Sequence, residues 1–91
     1  MRLRWTGQAS LDLARIRDFL IPLSPAVALR TVKTLRAAAL KLVDHPGLGA
    51  PLERYLPQHV RRWIVGQYEI RYEVTEEEIV IVRLWHTREE R

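Results

Sequence analysis

The sequence predicts an α+β fold: a helical hairpin packed on one face of a small, mainly antiparallel sheet, in the order β-α-α-β-β-β. Three observations lead there. Two successive stretches, Ala9–Leu20 and Ala28–Leu42, repeat apolar residues at steps of three and four, the helical period. Only about three residues join these stretches, which forces the two helices antiparallel. After Val60 the pattern changes to alternating or continuous apolar runs of strand length, separated by turn residues.

Each element has its own local reason. Met1 to Trp5 alternates, with Leu3 and Trp5 on one side and Arg2 and Arg4 on the other, as in a short half-buried strand. Thr6 suits the N-cap of the first helix. Its stripe is Ala9, Leu13, Ile16 and Leu20, with Asp12, Arg15, Arg17 and Asp18 as the expected solvated flank. Pro22 ends it at about Leu20 or Ile21. Ser24-Pro25 pairs an N-cap with proline at the first helical position and so starts the second helix. Its seam is Ala28, Val32, Leu35, Ala39 and Leu42, and its outer surface is basic through Arg30, Lys33, Arg36 and Lys41. Asp44-His45-Pro46-Gly47 stops it at about Val43. Leu48 to His59 has no period and reads as loop. Val60 to Val65 is a strand, and Gly66-Gln67 is a Gly-first pair suited to a two-residue turn. Tyr68 to Val74 follows as a half-buried strand with Glu69, Arg71 and Glu73 on its second face. Beyond a polar turn, Ile79 to Trp85 is almost continuously apolar, as in an interior strand. His86 to Arg91 is a charged tail.

Composition narrows the function classes. The 91 residues suit a single domain, 1–91, that buries about two-thirds of its unfolded surface. No cysteine is present, so neither disulfides, a thiolate nucleophile nor a cysteine metal site is expected. No apolar h-region follows the basic start, and the longest uncharged run, 19–29, is broken by prolines. A soluble, cytoplasmic protein without membrane contact is expected. The net charge of +4 is unevenly placed: eight basic and three acidic residues through Leu52, then seven basic and eight acidic. Such a balance fits nucleic acid or an acidic protein partner equally well.

Specific constellations separate these readings. A DNA-reading helix-turn-helix needs polar side chains at the start of its recognition helix, where this chain has Pro25-Ala26-Val27-Ala28-Leu29. Direct sequence-specific DNA binding is therefore not expected. His45, His59 and His86 lack metal-ligand spacing, so no metal and no cofactor are expected. His86, two residues before Arg88, could serve as a general acid beside a phosphate-binding cation; a strand-end His bonded to a nearby backbone group is the plainer reading. Trp63, Tyr68, Tyr72 and Trp85 read as core. Arg83 interrupts an apolar strand and requires either an ion pair, with Glu69 or Glu73 as candidates, or an open groove for an acidic partner.

These residues together resemble the RelE/ParE superfamily of bacterial toxins. The resemblance rests on the element order, on Ala9-x-x-x-Leu13-x-x-Ile16, and on the His45-Pro46-Gly47-x-Gly49 helix exit. It extends through Arg62-Trp63-Ile64-Val65-Gly66-Gln67-Tyr68-Glu69-Ile70-Arg71-Tyr72 and Val82-Arg83-Leu84-Trp85-His86-Thr87-Arg88, covering nearly the whole chain. It implies the toxin of a type II toxin–antitoxin module, of the kind linked to plasmid stabilisation. It also implies a ParD-like antitoxin, with a DNA-binding part and a flexible segment that wraps the toxin.

Within the superfamily, ribonuclease members act on mRNA at the ribosome and carry an Arg directly after the Tyr of the corresponding strand. Here that residue is Glu69, a carboxylate that opposes phosphate. The sequence is thus more similar to the ParE branch, which inhibits DNA gyrase by protein–protein contact without catalytic residues. Arg83, Arg88 and Arg91 are the expected target-binding residues, and Arg30, Lys33, Arg71 and Arg83 the expected antitoxin-binding ones. The alternative is a ribosome-dependent mRNA endoribonuclease with His86 as general acid and Arg61, Arg62 and Arg88 on the phosphate.

Overall fold

The computed structural model describes residues 1–89. Its elements run β1 (Arg2–Trp5), α1 (Gly7–Leu20), α2 (Pro25–Asp44), β2 (Ala50–Pro51), a 3₁₀ turn (Glu53–Tyr55), β3 (Val60–Val65), β4 (Tyr68–Val74) and β5 (Glu78–His86). The sheet order is β1-β5-β4-β3-β2; β1 lies parallel to β5 and every other pairing is antiparallel. The predicted α+β architecture is therefore present, and the helices cover one face of the sheet.

The helix starts follow their caps. Thr6 Oγ1 accepts the Ala9 N–H and donates to the Val82 carbonyl, while the Thr6 N–H donates to the Ile81 carbonyl. One residue thereby ends β1, starts α1 and ties both to β5. Ser24 accepts the Val27 N–H at 3.3 Å and Pro25 opens α2. Between β3 and β4, Gly66 has φ +60 and no other residue in the turn has positive φ, so glycine stands where a side chain would strain the hairpin.

Ala9, Leu13 and Ile16 from α1 meet Leu35, Ala38, Ala39 and Leu42 from α2 over Ile70, Tyr72, Ile79, Ile81 and Leu84. Trp63 and Tyr68 pack against this core, and Tyr72 is fully buried within it. Trp85 is buried too, but on the opposite face of the sheet, across from Glu69. A bulge explains part of this arrangement. Arg71 faces Arg83 and Tyr72 faces Ile81, leaving Val82 as the extra residue of β5.

The segment expected to be pure loop forms β2 and the 3₁₀ turn. Two residues suffice for β2 because the sheet ends there, and Pro51 is tolerated at an edge that asks for no N–H. Tyr72 fixes this segment: its hydroxyl donates to the Pro46 carbonyl at 2.7 Å and accepts the Gly49 N–H at 2.8 Å. A Cβ on Gly49 would stand 2.7 Å from the Arg62 carbonyl oxygen and 2.8 Å from the Tyr72 ring. We expect Gly49→Ala to destabilise the fold by about 1–3 kcal/mol, the usual cost of overpacking. Urea unfolding measures it, and an unchanged midpoint would show that the backbone gives way freely.

Candidate functional site

Two features of this fold could carry function: a buried charge network on β5, and an open groove beside the helical hairpin. β1 pairs with β5 only as far as Ile81, so beyond the bulge β5 has a free edge. Asp12 fills it. Its carboxylate accepts the Leu84 N–H at 3.0 Å, Arg83 Nε at 2.8 Å and Arg15 at 3.2 Å, and it is only 1% exposed. Arg15 also donates to the Leu84 carbonyl, and Glu89 accepts both Arg15 and the His86 N–H. Side chains thus replace the missing strand along this edge. Burial acts to raise the Asp12 carboxyl, but bonds from Arg83, Leu84, Gln8 and Arg15 outweigh it and hold the group below the ordinary carboxylate value. Glu89 is held low in the same way against its own burial, by the His86 N–H and Arg15.

Two expectations are corrected here. Asp12 is not a solvated flank of α1, because the unpaired Leu84 N–H and Arg83 draw it inward. Arg83 forms an ion pair with Asp12 of α1, where Glu69 and Glu73 on the neighbouring strand were the expected partners. Its guanidinium lies 4.9 Å from the Trp85 ring centre, and Arg71 lies 4.6 Å from the same ring. Arg71, expected to meet the antitoxin, is itself buried and donates to Glu69 at 2.7 Å and to the Tyr55 hydroxyl. β4 is covered on both faces, so its alternation does not mark a solvent side.

The groove lies between the second half of α1, the first half of α2, the β3–β4 turn and the end of β5. Its volume is about 840 Å³. Ile16, Leu20, Val27, Leu35, Val65 and Tyr68 supply apolar lining, and Phe19, 71% exposed, stands at its side. Arg15, Arg30 and Arg88 line the same groove with Glu89, which is already bonded to Arg15. The groove therefore combines an apolar interior with a rim on which Arg30 and Arg88 have no ion-pair partner among the described residues. That chemistry fits an amphipathic segment bearing acidic side chains. Phe19 is the residue sequence reading missed; its one signal was a large aromatic placed off the apolar stripe of α1.

His86 sits at the mouth of this groove. Its Nδ1 accepts the Arg88 N–H at 3.1 Å, and its Nε2 lies 3.1 Å from Gln67 Oε1. With Nδ1 accepting, the neutral ring carries its proton on Nε2 and donates it to Gln67. The Tyr68 ring meets it edge-on at 5.3 Å. The other proposed phosphate ligands lie elsewhere. Arg61 is opposite Tyr72, four residues along β3 from the Val65–Tyr68 pair next to His86, or about 13 Å. It donates to the Gly49 carbonyl. Arg62 is on the far sheet face, 3.6 Å from Glu69. His86 and Arg88 are thus brought together, and Arg61 and Arg62 are not.

Of the remaining expected binding residues, Arg30 lines the groove, Lys33 is exposed on the outer side of α2, and Arg91 lies outside the described residues. Among the described residues, no three His, Asp or Glu side chains cluster as metal ligands.

Residues 3–91 match the ParE toxin of the type II toxin–antitoxin system parDE, and the chain belongs to that family. It is 37% identical over 82 residues to "Toxin RelE2" of Caulobacter vibrioides, covering 90% of each protein. Two solved structures share its fold. One is the chromosomal ParDE system from P. aeruginosa, at 28% identity and TM-score 0.79, with 94% of this chain and 95% of that one covered. The other is the RelBE2 toxin–antitoxin complex from Mycobacterium tuberculosis, at 26% identity and TM-score 0.63, with 93% and 95% covered. The chain is therefore a toxin of the type II toxin–antitoxin class. Among the described residues, no helix is long and apolar enough to cross a membrane.

Proposed function

We propose that this protein acts in the cytoplasm as a toxin of DNA gyrase, inhibiting it by protein–protein contact, and that a ParD-like antitoxin neutralises it by laying an amphipathic segment in the groove. The observation that carries the reading is the dispersal of ribonuclease chemistry. Cutting RNA needs a proton donor and several cations around one phosphate. Of the expected phosphate ligands, Arg88 alone among the described residues stands beside His86, and the His86 Nδ1 is occupied by a backbone N–H. Glu69 lies buried among Arg62 and Arg71, leaving the sheet face largely charge-compensated. A binding groove, by contrast, is fully formed.

The second reading, mRNA cleavage at the ribosome, draws on the His86–Arg88 adjacency and on the name of the Caulobacter relative. One pair of assays separates the two. Purified protein mixed with gyrase and plasmid should block supercoiling or accumulate cleaved DNA. On translating ribosomes the message should stay intact, and His86→Ala should leave gyrase inhibition unchanged. Message cleavage abolished by His86→Ala would replace this proposal with the ribonuclease reading.

A further inference from the structure

α2 carries a second surface, turned away from the groove. The helix holds Arg30 at the groove rim and Lys33, Arg36 and Lys41 beyond it, against Asp44 alone, so a net +3 of the chain's +4 lies on these twenty residues. Several cations elsewhere are answered: Arg2 and Arg4 by Glu77 and Glu78, Arg17 by Asp18, Arg15 and Arg83 by Asp12. Among the described residues, none of the four α2 cations has an ion-pair partner. Between them run two large exposed leucines, Leu29 at 58% and Leu40 at 62%. At 100° per residue both fall on one stripe with Lys33, with Ala26 and Ala37 alongside, and they stand about 16 Å apart along the axis.

We propose that this outer face docks an acidic, amphipathic helix of a protein partner, separately from the segment that fills the groove. Charge complementarity selects an acidic partner. The apolar stripe selects a protein over the alternatives. A phosphate backbone has nothing to place against Leu29 and Leu40, and two leucines bury too little apolar area to hold the protein on a lipid surface. Small side chains at Ala26 and Ala37 leave room for a second helix to lie close, and the eleven-residue leucine spacing matches a d position and a later a position of a heptad seam. The proposal needs neither gyrase nor the antitoxin to be correctly identified.

A synthetic 21-residue helical peptide, with leucine at its heptad core positions and glutamate on both flanks, is the probe. Titrated into the isotopically labelled full chain, it should shift amides of Leu29, Lys33, Ala37 and Leu40. Affinity should fall at least tenfold in the double variant L29S/L40S and in K33E/R36E, both with unchanged melting temperatures because these side chains are exposed. Val27→Asp, which blocks the groove, should leave it intact. Shifts at Phe19, Val27 and Tyr68 instead, or none at millimolar peptide, would overturn the proposal. So would a loss seen only in the charge variant, or tighter leucine-dependent binding to duplex DNA or phosphatidylserine vesicles.

Discussion

Replacing Asp12 with alanine should destabilise the protein by about 2–4 kcal/mol, a large share of the about 5–14 kcal/mol expected for a chain this size. The loss has identifiable parts. The Leu84 N–H would lie orphaned on a buried strand, at about 1–3 kcal/mol. Arg83 and Arg15 would lose their shared acceptor, but both reach partly into water, so their loss adds only about 1 kcal/mol. Asp12→Asn keeps an oxygen for Leu84 and should fall roughly midway. Acid gives an independent check. Asp12 and Glu89 are held below ordinary carboxylate values in the folded protein, so their contribution is present above about pH 4 and disappears as pH falls through the folded values. The gap in unfolding free energy between the native protein and Asp12→Asn should therefore narrow below pH 4. A gap that stays constant from pH 7 to pH 3 would mean the charge on Asp12 contributes nothing.

Asp12 also shows where sequence reading stops. Caps, turns and apolar periods are local, and local patterns carried Thr6, Ser24-Pro25 and Gly66-Gln67 into the structure as expected. Burial of a polar residue is not local. Whether an aspartate beside an apolar stripe meets water depends on a strand 72 residues away whose parallel partner is too short to cover it. Arg83, interrupting an apolar run, did announce a missing acid; nothing near it in sequence or on the next strand said that α1 would supply it. Glu69 and Arg71 failed differently. Their alternation with Ile70 and Tyr72 implies a wet face, which the Tyr55 turn and Trp85 cover. The groove was invisible for a third reason: its walls are ordinary apolar residues of four elements, and only tertiary assembly leaves them facing one another.

The groove supports the second large effect. If a ParD-like antitoxin fills the groove as proposed, Phe19→Ala should weaken its binding by about 10–150-fold, the equivalent of the 1.5–3 kcal/mol gained when a large apolar side chain leaves water. The same change should leave the free toxin as stable as before, because Phe19 is 71% exposed and contributes little to the core. That combination, affinity lost and fold kept, distinguishes a docking residue from a structural one. Rim charges should behave otherwise. Arg30→Glu and Arg88→Glu, lying in water around the groove, should mainly slow association, with an effect that shrinks as salt rises. Arg15→Glu is no clean test, since Arg15 also serves Asp12 and the Leu84 carbonyl. Calorimetry and stopped-flow binding at two salt concentrations would resolve both classes. If Phe19→Ala binds the antitoxin as tightly as the native protein, the segment lies elsewhere on the toxin and the groove loses its assigned partner.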